Sequence, residues 1–152
     1  MILGIISDTH GLRRPSALAA LRPCELILHA GDVGNPEILD DLMDIAPTVT
    51  VRGNVDRDGW ANVLPETEMV EAAGQLIYMV HDLAELDIEP VAAGVHAVIS
   101  GHSHIVLAER RENVLYLNPG SAGPRRFDLP VTVALLYVSP ASIEHEILEL
   151  QV

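Results

Sequence analysis

Short apolar runs, each followed by polar residues, dominate the first two thirds of the chain. Runs of this length that are rich in Val, Ile and Leu predict buried strands. They cover residues 1–7, 25–30, 48–52, 76–80 and 97–100. Helical patterns separate the first three runs, and this alternation of strand and helix predicts a parallel sheet with right-handed crossovers.

Two helices are predicted between the first three strands. The first covers residues 15–21, because Pro15 suits the first turn of a helix and Pro23 lies just beyond its end. Asn35 and Pro36 open the second, which runs to about residue 45 before Pro47 stops it. A short third helix is predicted at residues 89–93.

The remaining patterns are mostly those of strands. Residues 66–72 and 75–80 flank Ala73-Gly74 and predict a hairpin, and further strands are predicted at residues 105–110, 114–118, 131–138 and 142–150. We therefore expect an α/β fold in which two sheets, one mixed and one mostly antiparallel, pack face to face with helices outside. No long linker divides the chain, so residues 1–152 are expected to form a single domain.

Composition narrows the class of protein. Of the 152 residues 49% are apolar, which is enough for a sizeable core. A formal net charge of −13 argues against long nucleic acid and anionic membranes as partners. No apolar stretch reaches the about 18 residues of a membrane span. The single Cys24 cannot form an internal disulfide, and no basic leader precedes the first strand, so we expect a cytoplasmic protein.

Residues that can bind metal ions follow the predicted strands. Asp8 and His10 are two positions apart, as are His102 and His104, so each pair can point to one side of an extended segment. Residues that follow parallel strands gather at one edge of a sheet. The complete set is Asp8, His10, Asp32, Asn54, His81, His102 and His104. Such a set is about what two divalent cations require if Asp32 bridges them, and it predicts metal-assisted hydrolysis of a phosphate ester.

The order Asp-x-His, Gly-Asp, Gly-Asn, His, Gly-His-x-His resembles the calcineurin-like metallophosphoesterase superfamily. The closest resemblance is to its small single-domain phosphodiesterases of bacteria and archaea, which carry a turn similar to Asn118-Pro119-Gly120-Ser121. The resemblance extends over roughly residues 1–138. It implies a four-layer αββα sandwich, in which two packed mixed sheets are flanked by helices.

The resemblance also implies two metal sites that share one carboxylate. Site one would consist of Asp8, His10, Asp32 and His104, and site two of Asp32, Asn54, His81 and His102. Members of the superfamily typically use Mn²⁺, Fe, Zn²⁺, Ni²⁺ or Mg²⁺. The nitrogen-rich ligands argue against Mg²⁺, so two Mn²⁺ ions are expected, with Zn²⁺, Ni²⁺ or Fe as alternatives. A hydroxide that bridges the metals would attack the phosphate. Asp32, Asn54 and His102 would take part in catalysis, with Asn54 or His102 also contacting the phosphate.

Three features of this chain differ from the pattern of many superfamily members. Val55 follows the Gly-Asn dyad where many members carry His, as it does in the small phosphodiesterases. Asp82 follows His81 where Gly is usual. The segment between His81 and Ala97 is too short for a cap domain, so we expect an open cleft. Such a cleft suits a phosphodiester and also admits a phosphomonoester.

A non-catalytic scaffold is the alternative, since the same fold serves in the eukaryotic retromer as a protein-binding subunit with a degraded metal site. Fold alone does not separate the two, and the complete ligand set favours an enzyme that acts on a small phosphate ester. The exposed, alternating residues of the carboxy-terminal strands could pair with a second copy of the chain, so a homo-oligomer is a further possibility.

Several polar residues outside the ligand set have two interpretations at this stage. The candidates for contacting phosphate or lying in solvated loops are Arg13, Arg14, Arg125 and Arg126. Asp56 either bonds to a ligand or closes a turn. His29 is predicted to be a hydrogen-bonded core histidine.

Overall fold

The ten strands of the protein are divided equally between two sheets, and the computed structural model describes residues 1–152. In chain order the elements are β1 (Ile2–Ile6), α1 (Pro15–Leu21), β2 (Leu26–His29), α2 (Pro36–Met43), β3 (Thr48–Thr50), β4 (Thr67–Ala72), β5 (Gln75–Val80), β6 (Ala97–Ile99), β7 (Leu107–Arg111), β8 (Val114–Asn118), β9 (Thr132–Ser139) and β10 (Ser142–Glu149). Both α-helices and all ten strands lie where the sequence predicts them, to within a few residues at their ends.

The first sheet has the order β10-β9-β1-β2-β3. Strands β1, β2 and β3 are parallel, as the alternation of strands and helices predicts, and β9 and β10 add an antiparallel edge. The amino-terminal strands of the chain therefore end along one edge of this sheet.

The second sheet has the order β4-β5-β6-β8-β7. Strands β5, β6 and β8 are parallel, whereas β4 and β7 pair antiparallel at the two edges. The expectation of a mostly antiparallel sheet from the strand patterns is therefore wrong, and both sheets are mixed. The error arises because β7 lies outside β8, so that β8 pairs with β6, and an apolar pattern does not specify the partner of a strand.

The main core lies between the two sheets, where 17 buried apolar residues form one cluster. Leu3 and Leu28 come from the first sheet, and Ile77 and Leu115 come from the second. Since burial of apolar area is the dominant favourable contribution to folding, this shared layer fixes the two sheets against each other. Their strand ends are thereby held close together.

Helices α1 and α2 cover the outer face of the first sheet through a second apolar cluster that includes Leu21 and Leu42. Asn35 caps α2 by accepting a hydrogen bond from the backbone N–H of Glu37 at 2.9 Å, and Pro36 fills the first helical position. None of the helices combines the length and the apolar character needed to cross a membrane.

The outer face of the second sheet is covered by the segment between β5 and β6 rather than by an α-helix. Leu83, Leu86 and Ile88 of this segment pack against an apolar cluster that contains Tyr78 and Val98. A 3₁₀ helix occupies Leu83–Glu85. The prediction of a helix at residues 89–93 is wrong. The backbone forms only a turn there, and this turn ends at Gly94, which has a φ of 74°.

Candidate metal centre

The candidate ligands from the first sheet follow its three parallel strands. Asp8 lies two residues beyond β1, Asp32 three residues beyond β2 and Asn54 four residues beyond β3. The backbone N–H of Asp8 donates to the carbonyl of Gly31 at 3.0 Å, which ties the first two of these loops together. The expected gathering of the loops at the carboxyl edge is confirmed.

The second sheet supplies three histidines from the ends of two adjacent parallel strands. His81 directly follows β5, and His102 and His104 follow β6. The backbone N–H of Gly101 donates to the carbonyl of His81 at 2.9 Å, which joins these two loops. Both sheets thus direct ligand-bearing loops to the same place.

Five of the seven candidate ligands have a left-handed backbone, which side chains with a Cβ rarely adopt. The φ angles are 56° at Asp8, 45° at His10, 57° at Asp32, 70° at His102 and 64° at His104. Each such residue costs about 1–3 kcal/mol, and strain of this kind clusters at functional sites. The strained backbone therefore indicates that a function of these side chains, and not only the need to connect two strands, fixes their orientation.

One group of ligand atoms consists of Asp8, His10 and His104. The Nε2 atoms of His10 and His104 are 3.2 Å apart. The Oδ1 atom of Asp8 lies 3.5 Å from Nε2 of His104 and 3.9 Å from Nε2 of His10. These three side chains converge closely enough to share one cation.

The second group consists of Asp32, His81 and His102, with Asn54 beside it. The Oδ1 atom of Asn54 lies 3.1 Å from Nε2 of His81 and 3.2 Å from Nδ1 of His102. Nε2 of His81 lies 3.2 Å from Oδ2 of Asp32. The amide oxygen would add a neutral ligand to a second cation site.

Asp32 lies between the two groups. Its Oδ2 atom is 3.5 Å from Nε2 of His10 and 3.2 Å from Nε2 of His81, and these two histidines belong to different groups. Its Oδ1 atom accepts a hydrogen bond from the backbone N–H of Val55 at 3.0 Å, which fixes the carboxylate plane. This arrangement suits a carboxylate shared by two cations.

An unpartnered buried oxygen tests whether the site fits a metal. Oδ2 of Asp8 accepts hydrogen bonds from the Ser7 hydroxyl at 2.9 Å and from the His102 backbone N–H at 3.0 Å. Oδ1 of the same carboxylate is buried and has no hydrogen-bond partner. A buried carboxylate oxygen without a partner is costly, and a cation among the neighbouring imidazoles would satisfy it. The donor set therefore fits a divalent metal.

Charge is distributed unevenly over these groups in the metal-free protein. Burial disfavours both charged forms of the His81–Asp32 pair, but their mutual attraction outweighs burial, so the pKa of His81 is raised and that of Asp32 is lowered. Burial likewise raises the pKa of Asp8. Burial and then the charge of Arg126 lower the pKa of His104 to about 4, so its ring is neutral at neutral pH and can act as a ligand.

The ring of His81 is oriented by the backbone. Its Nδ1 atom lies 2.7 Å from the carbonyl oxygen of Ala30, which can only accept, so Nδ1 carries the proton. Nε2 is consequently the nitrogen that faces Asp32 and Asn54. Metal-binding histidines typically donate their other N–H in this way.

Asp56 holds two of the ligand loops together. Its buried carboxylate accepts backbone hydrogen bonds from Val33 at 3.2 Å, Gly34 at 3.0 Å and Gly53 at 2.9 Å. A Cβ atom at Gly53 would overlap with Asp32, so this close approach of the loops requires glycine. The bond to Gly53 closes the turn, as one of the two interpretations drawn from the sequence has it. The bonds to Val33 and Gly34 are not anticipated, since only the fold brings the two loops together.

His29 is a hydrogen-bonded core histidine, as predicted. Its Nδ1 atom accepts from the Gly31 backbone N–H at 3.1 Å, so Nε2 carries the proton and donates to the Thr9 hydroxyl at 3.0 Å. Thr9 in turn donates to the carbonyl of Val33 at 2.8 Å. The chain of bonds joins the loop of Asp8 and His10 to the loop of Asp32.

The Asn-Pro-Gly-Ser turn supports the histidine loop from the other side. The amide of Asn118 donates to the carbonyl of Gly101 at 2.9 Å and to the hydroxyl of Ser103 at 3.1 Å. The hydroxyl of Ser121 donates to the carbonyl of Asp8 at 3.0 Å. The turn therefore contacts loops from both sheets.

The four candidate arginines divide into different roles. Arg13 pairs with Glu37 at 2.6 Å and with Asp41 at 2.7 Å, and Arg14 donates to the carbonyls of Ala122 and Gly123, so both anchor loops. Arg126 is exposed, and its charge acts on His104. Of Arg13, Arg14 and Arg126, only Arg126 is exposed without an anchoring contact to another residue and acts through its charge on a candidate ligand.

Arg125 lies apart from this group, because it lines a small cavity with Pro130 and the carboxy-terminal residues Glu149 to Val152. It does not line the cavity beside the candidate ligands. This difference between adjacent arginines could not be read from the sequence.

Comparison with known proteins decides the family. Residues 1–140 match the model of the calcineurin-like phosphoesterase superfamily domain. The chain belongs to this superfamily. A probable metallophosphoesterase from Methanothermobacter thermautotrophicus is 33% identical over 160 residues, which cover 97% of this chain and 92% of that protein. The resemblance inferred from the motifs is confirmed, and superfamily members of this kind use divalent metals to act on phosphate esters.

Solved structures of other proteins share the fold. An archaeal phosphodiesterase superimposes with a TM-score of 0.79 at 22% identity, covering 97% of this chain and 100% of that one. Vps29 from Entamoeba histolytica in complex with Zn²⁺ has a TM-score of 0.75 at 24% identity, covering 98% and 99%. At these identities the similarity establishes the two-sheet α/β sandwich and leaves activity to be argued from the site.

Proposed function

We propose that this calcineurin-like protein is a dimetal phosphoesterase that hydrolyses phosphodiesters. The observation that carries the proposal is the position of Asp32 between two groups of ligand atoms, with its Oδ2 atom 3.5 Å from His10 and 3.2 Å from His81. Two-metal sites in phosphoesterases use a shared ligand of this kind to hold both ions close to one phosphate.

The proposed ligand sets are those implied by the family motifs. Site one consists of Asp8, His10, Asp32 and His104, and site two of Asp32, Asn54, His81 and His102. Mn²⁺ is the metal we expect from the resemblance to the superfamily, and Zn²⁺, Ni²⁺ or Fe are the alternatives that imidazole ligands also suit. When bound, the ions would supply positive charge for the phosphoryl oxygens and would lower the pKa of a coordinated water.

The chain's own residues contribute orientation and substrate contact. Asp32 would be the ligand shared by the two ions, and its carboxylate is held in one orientation because Oδ1 accepts from the Val55 N–H. Asn54 and His102 are the two exposed members of the ligand set, so they are the members that can also contact a phosphate. We assign catalytic contributions to Asp32, Asn54 and His102 on this basis.

An open approach to the site favours a diester over a monoester. The segment between β5 and β6 packs on the outer face of the second sheet and forms no cap over the ligands. A diester carries a second alcohol group that needs room beside the phosphate, and a lidless site offers that room. Phosphomonoesters can still enter, so a preference rather than exclusive use of diesters is expected.

Hydrolysis of bis-p-nitrophenyl phosphate beside p-nitrophenyl phosphate tests the proposal. Metal-stripped protein is refilled with Mn²⁺, Zn²⁺, Ni²⁺ or Mg²⁺, and the rates are compared with those of Asp32→Asn. We expect metal-dependent turnover that is faster on the diester and that falls at least a hundredfold in the variant. Glu144→Gln, on exposed β10, serves as the control and should retain full activity.

The alternative function is that of a metal-binding scaffold for a protein partner. It is favoured by the fold shared with Vps29 from Entamoeba histolytica. Two ions bound per chain without turnover on either ester would support the scaffold and contradict the enzyme.

Broader properties follow as proposals from the same features. We infer that residues 1–152 form one domain, because both sheets contribute to the cluster between them. We infer a reducing cytoplasm from the single cysteine, Cys24, which is buried and whose thiol has its pKa raised by burial to about 11. A small phosphate ester is the expected partner, long nucleic acid is not expected, and a homo-oligomer is left open.

A further inference from the structure

A cavity of about 560 Å³ opens beside the second group of ligands. Its size lies within the range of small-molecule sites. Asn54, His81 and His102 form one wall. The lining also includes Arg52, Arg57, Asn62, Glu66, Asp82 and Glu85. We call this space the polar cleft. A substrate phosphate held at the ligands would place one of its ester groups here.

The lining of the polar cleft excludes some chemical classes of ester group. Val80 is the one hydrophobic residue in the lining, which contains no Phe, Tyr or Trp. Nucleobases are bound largely by stacking on aromatic side chains, and acyl chains require apolar surface. A nucleoside or a lipid tail would therefore gain little in this space.

Charge in the polar cleft excludes a second anionic group. Arg52 is paired with Glu66 at 2.9 Å, and the charged residues of the lining that remain are Arg57, Asp56, Asp82 and Glu85. The lining away from the ligands is therefore not positive. A polyphosphate or a second phosphate would meet carboxylates there rather than cations.

Donors and acceptors are both available in the polar cleft. The Nε–H of Arg57 donates to the carbonyl of Asn54 at 2.9 Å, which orients the guanidinium and leaves its terminal N–H groups available. Asn62 offers an exposed amide that both donates and accepts, and Glu85 offers an exposed carboxylate. Hydroxyl groups also donate and accept, so adjacent hydroxyls match this lining.

We propose that the polar cleft binds the alcohol part of a phosphodiester and that this alcohol is rich in hydroxyl groups, as glycerol or a sugar is. The proposal rests on the phosphodiesterase function and specifies its substrate class. Asn62 and Glu85 are the residues assigned to the hydroxyls, since neither is a candidate metal ligand.

Variant kinetics test this assignment on three diesters: glycerophosphoglycerol, a dinucleoside phosphate and bis-p-nitrophenyl phosphate. In Asn62→Ala and in Glu85→Ala, kcat/KM for glycerophosphoglycerol should fall about fivefold to tenfold relative to kcat/KM for bis-p-nitrophenyl phosphate. That is the loss expected for one hydrogen bond of ordinary strength. Glu144→Ala on exposed β10 is the matched control for Glu85→Ala and should leave the ratio unchanged.

Calorimetry provides a readout that does not depend on turnover. Glycerol 3-phosphate should bind the metal-loaded protein about tenfold more tightly than methyl phosphate, and Glu85→Ala should remove most of that difference. Equal affinities for the two phosphates, or equal losses on all three diesters, would overturn the assignment. So would a higher kcat/KM for the dinucleoside phosphate than for glycerophosphoglycerol.

The two proposals fail in distinguishable ways. If the metal-loaded wild-type protein does not hydrolyse bis-p-nitrophenyl phosphate at all, the proposed phosphodiesterase function is contradicted. The calorimetric comparison of the two phosphates still tests the polar cleft in that case. Metal-dependent turnover of bis-p-nitrophenyl phosphate without any preference for glycerol-containing ligands contradicts the polar cleft alone.

Discussion

The carboxylate of Asp82 faces the ring of His102, with its Oδ2 atom 3.7 Å from Nε2 of the histidine. The other nitrogen of His102, Nδ1, lies 3.2 Å from Oδ1 of Asn54. Asp82 directly follows His81, and its Oδ1 atom caps the following turn by accepting from the backbone N–H of Ala84 at 3.0 Å. The carboxylate therefore favours the ring orientation in which Nδ1 points toward the second group of ligands.

Asp82→Asn is predicted to weaken the second metal site without disturbing the fold. The asparagine oxygen can still cap the turn, but the negative charge beside His102 is lost. Because outer carboxylates raise the basicity of metal-binding histidines, metal affinity should fall by about tenfold. Titration of Mn²⁺ and Zn²⁺ by calorimetry measures the change, with Glu89→Gln in the same segment as the control. Unchanged affinities for both ions would contradict this role of Asp82.

Asp56→Asn is predicted to destabilise the protein. The amide nitrogen would replace an oxygen that accepts from backbone N–H groups, and at least one buried donor would lose its partner. The expected decrease in the free energy of unfolding is about 1–3 kcal/mol. Urea denaturation measures it, and Asp58→Asn is the matched control because that side chain is exposed and caps nothing. Equal stabilities of the two variants would contradict the account.

The buried His29 predicts a pH dependence of stability. Complete burial lowers the pKa of His29 to about 3 from its ordinary value of 6.5. Below pH 6.5 the unfolded chain therefore binds a proton that the folded protein does not. Stability from this residue is fully present above pH 6.5 and is lost as pH falls toward 3, by about 1.4 kcal/mol per pH unit.

His29→Gln tests this dependence on metal-free protein. The glutamine side chain does not titrate, so the stability advantage of the wild-type protein over the variant should shrink as pH falls from 7 to 4. Urea denaturation at several pH values gives the two curves. His145→Gln on exposed β10 is the control and should run parallel to wild type. Parallel curves for His29→Gln as well would refute the assignment.

Arg126 is predicted to contact the substrate phosphate, whereas its neighbour Arg125 is not. The charge of Arg126 acts on His104, while Arg125 lines the cavity at the carboxy-terminal residues. Arg126→Ala should raise KM for bis-p-nitrophenyl phosphate at least tenfold, the expected effect of losing a charge-assisted contact. Arg125→Ala is the matched control. Similar effects of the two substitutions on KM would contradict the distinction.

The positions of the candidate ligands could be predicted from sequence because each follows an apolar run. Buried parallel strands leave a clear pattern, and their carboxyl ends must share an edge. This reasoning brings Asp8 and Asp32 together without any coordinates. That His81 and His102 follow neighbouring parallel strands is seen only in the structure, because the apolar patterns do not specify which strands pair.

Other features depend on contacts that no local pattern encodes. The three backbone donors of Asp56 come from two loops that are distant in sequence, so only the fold reveals the role of its carboxylate. The left-handed backbone of His102 and His104 is equally invisible, because only a small fraction of histidines adopt it. The proposed substrate class could not be predicted from the sequence, because Asn62 and Glu85 of the polar cleft belong to no recognisable motif.

The most direct test of the central claim is a Mn²⁺ titration of metal-stripped protein in which bound ions and hydrolysis of bis-p-nitrophenyl phosphate are measured on the same samples. The account predicts two ions per chain, with hydrolysis appearing as the second ion binds. Asp32→Asn should show little hydrolysis at any Mn²⁺ concentration. Full hydrolysis with one ion per chain, or none with two, would contradict the shared role of Asp32.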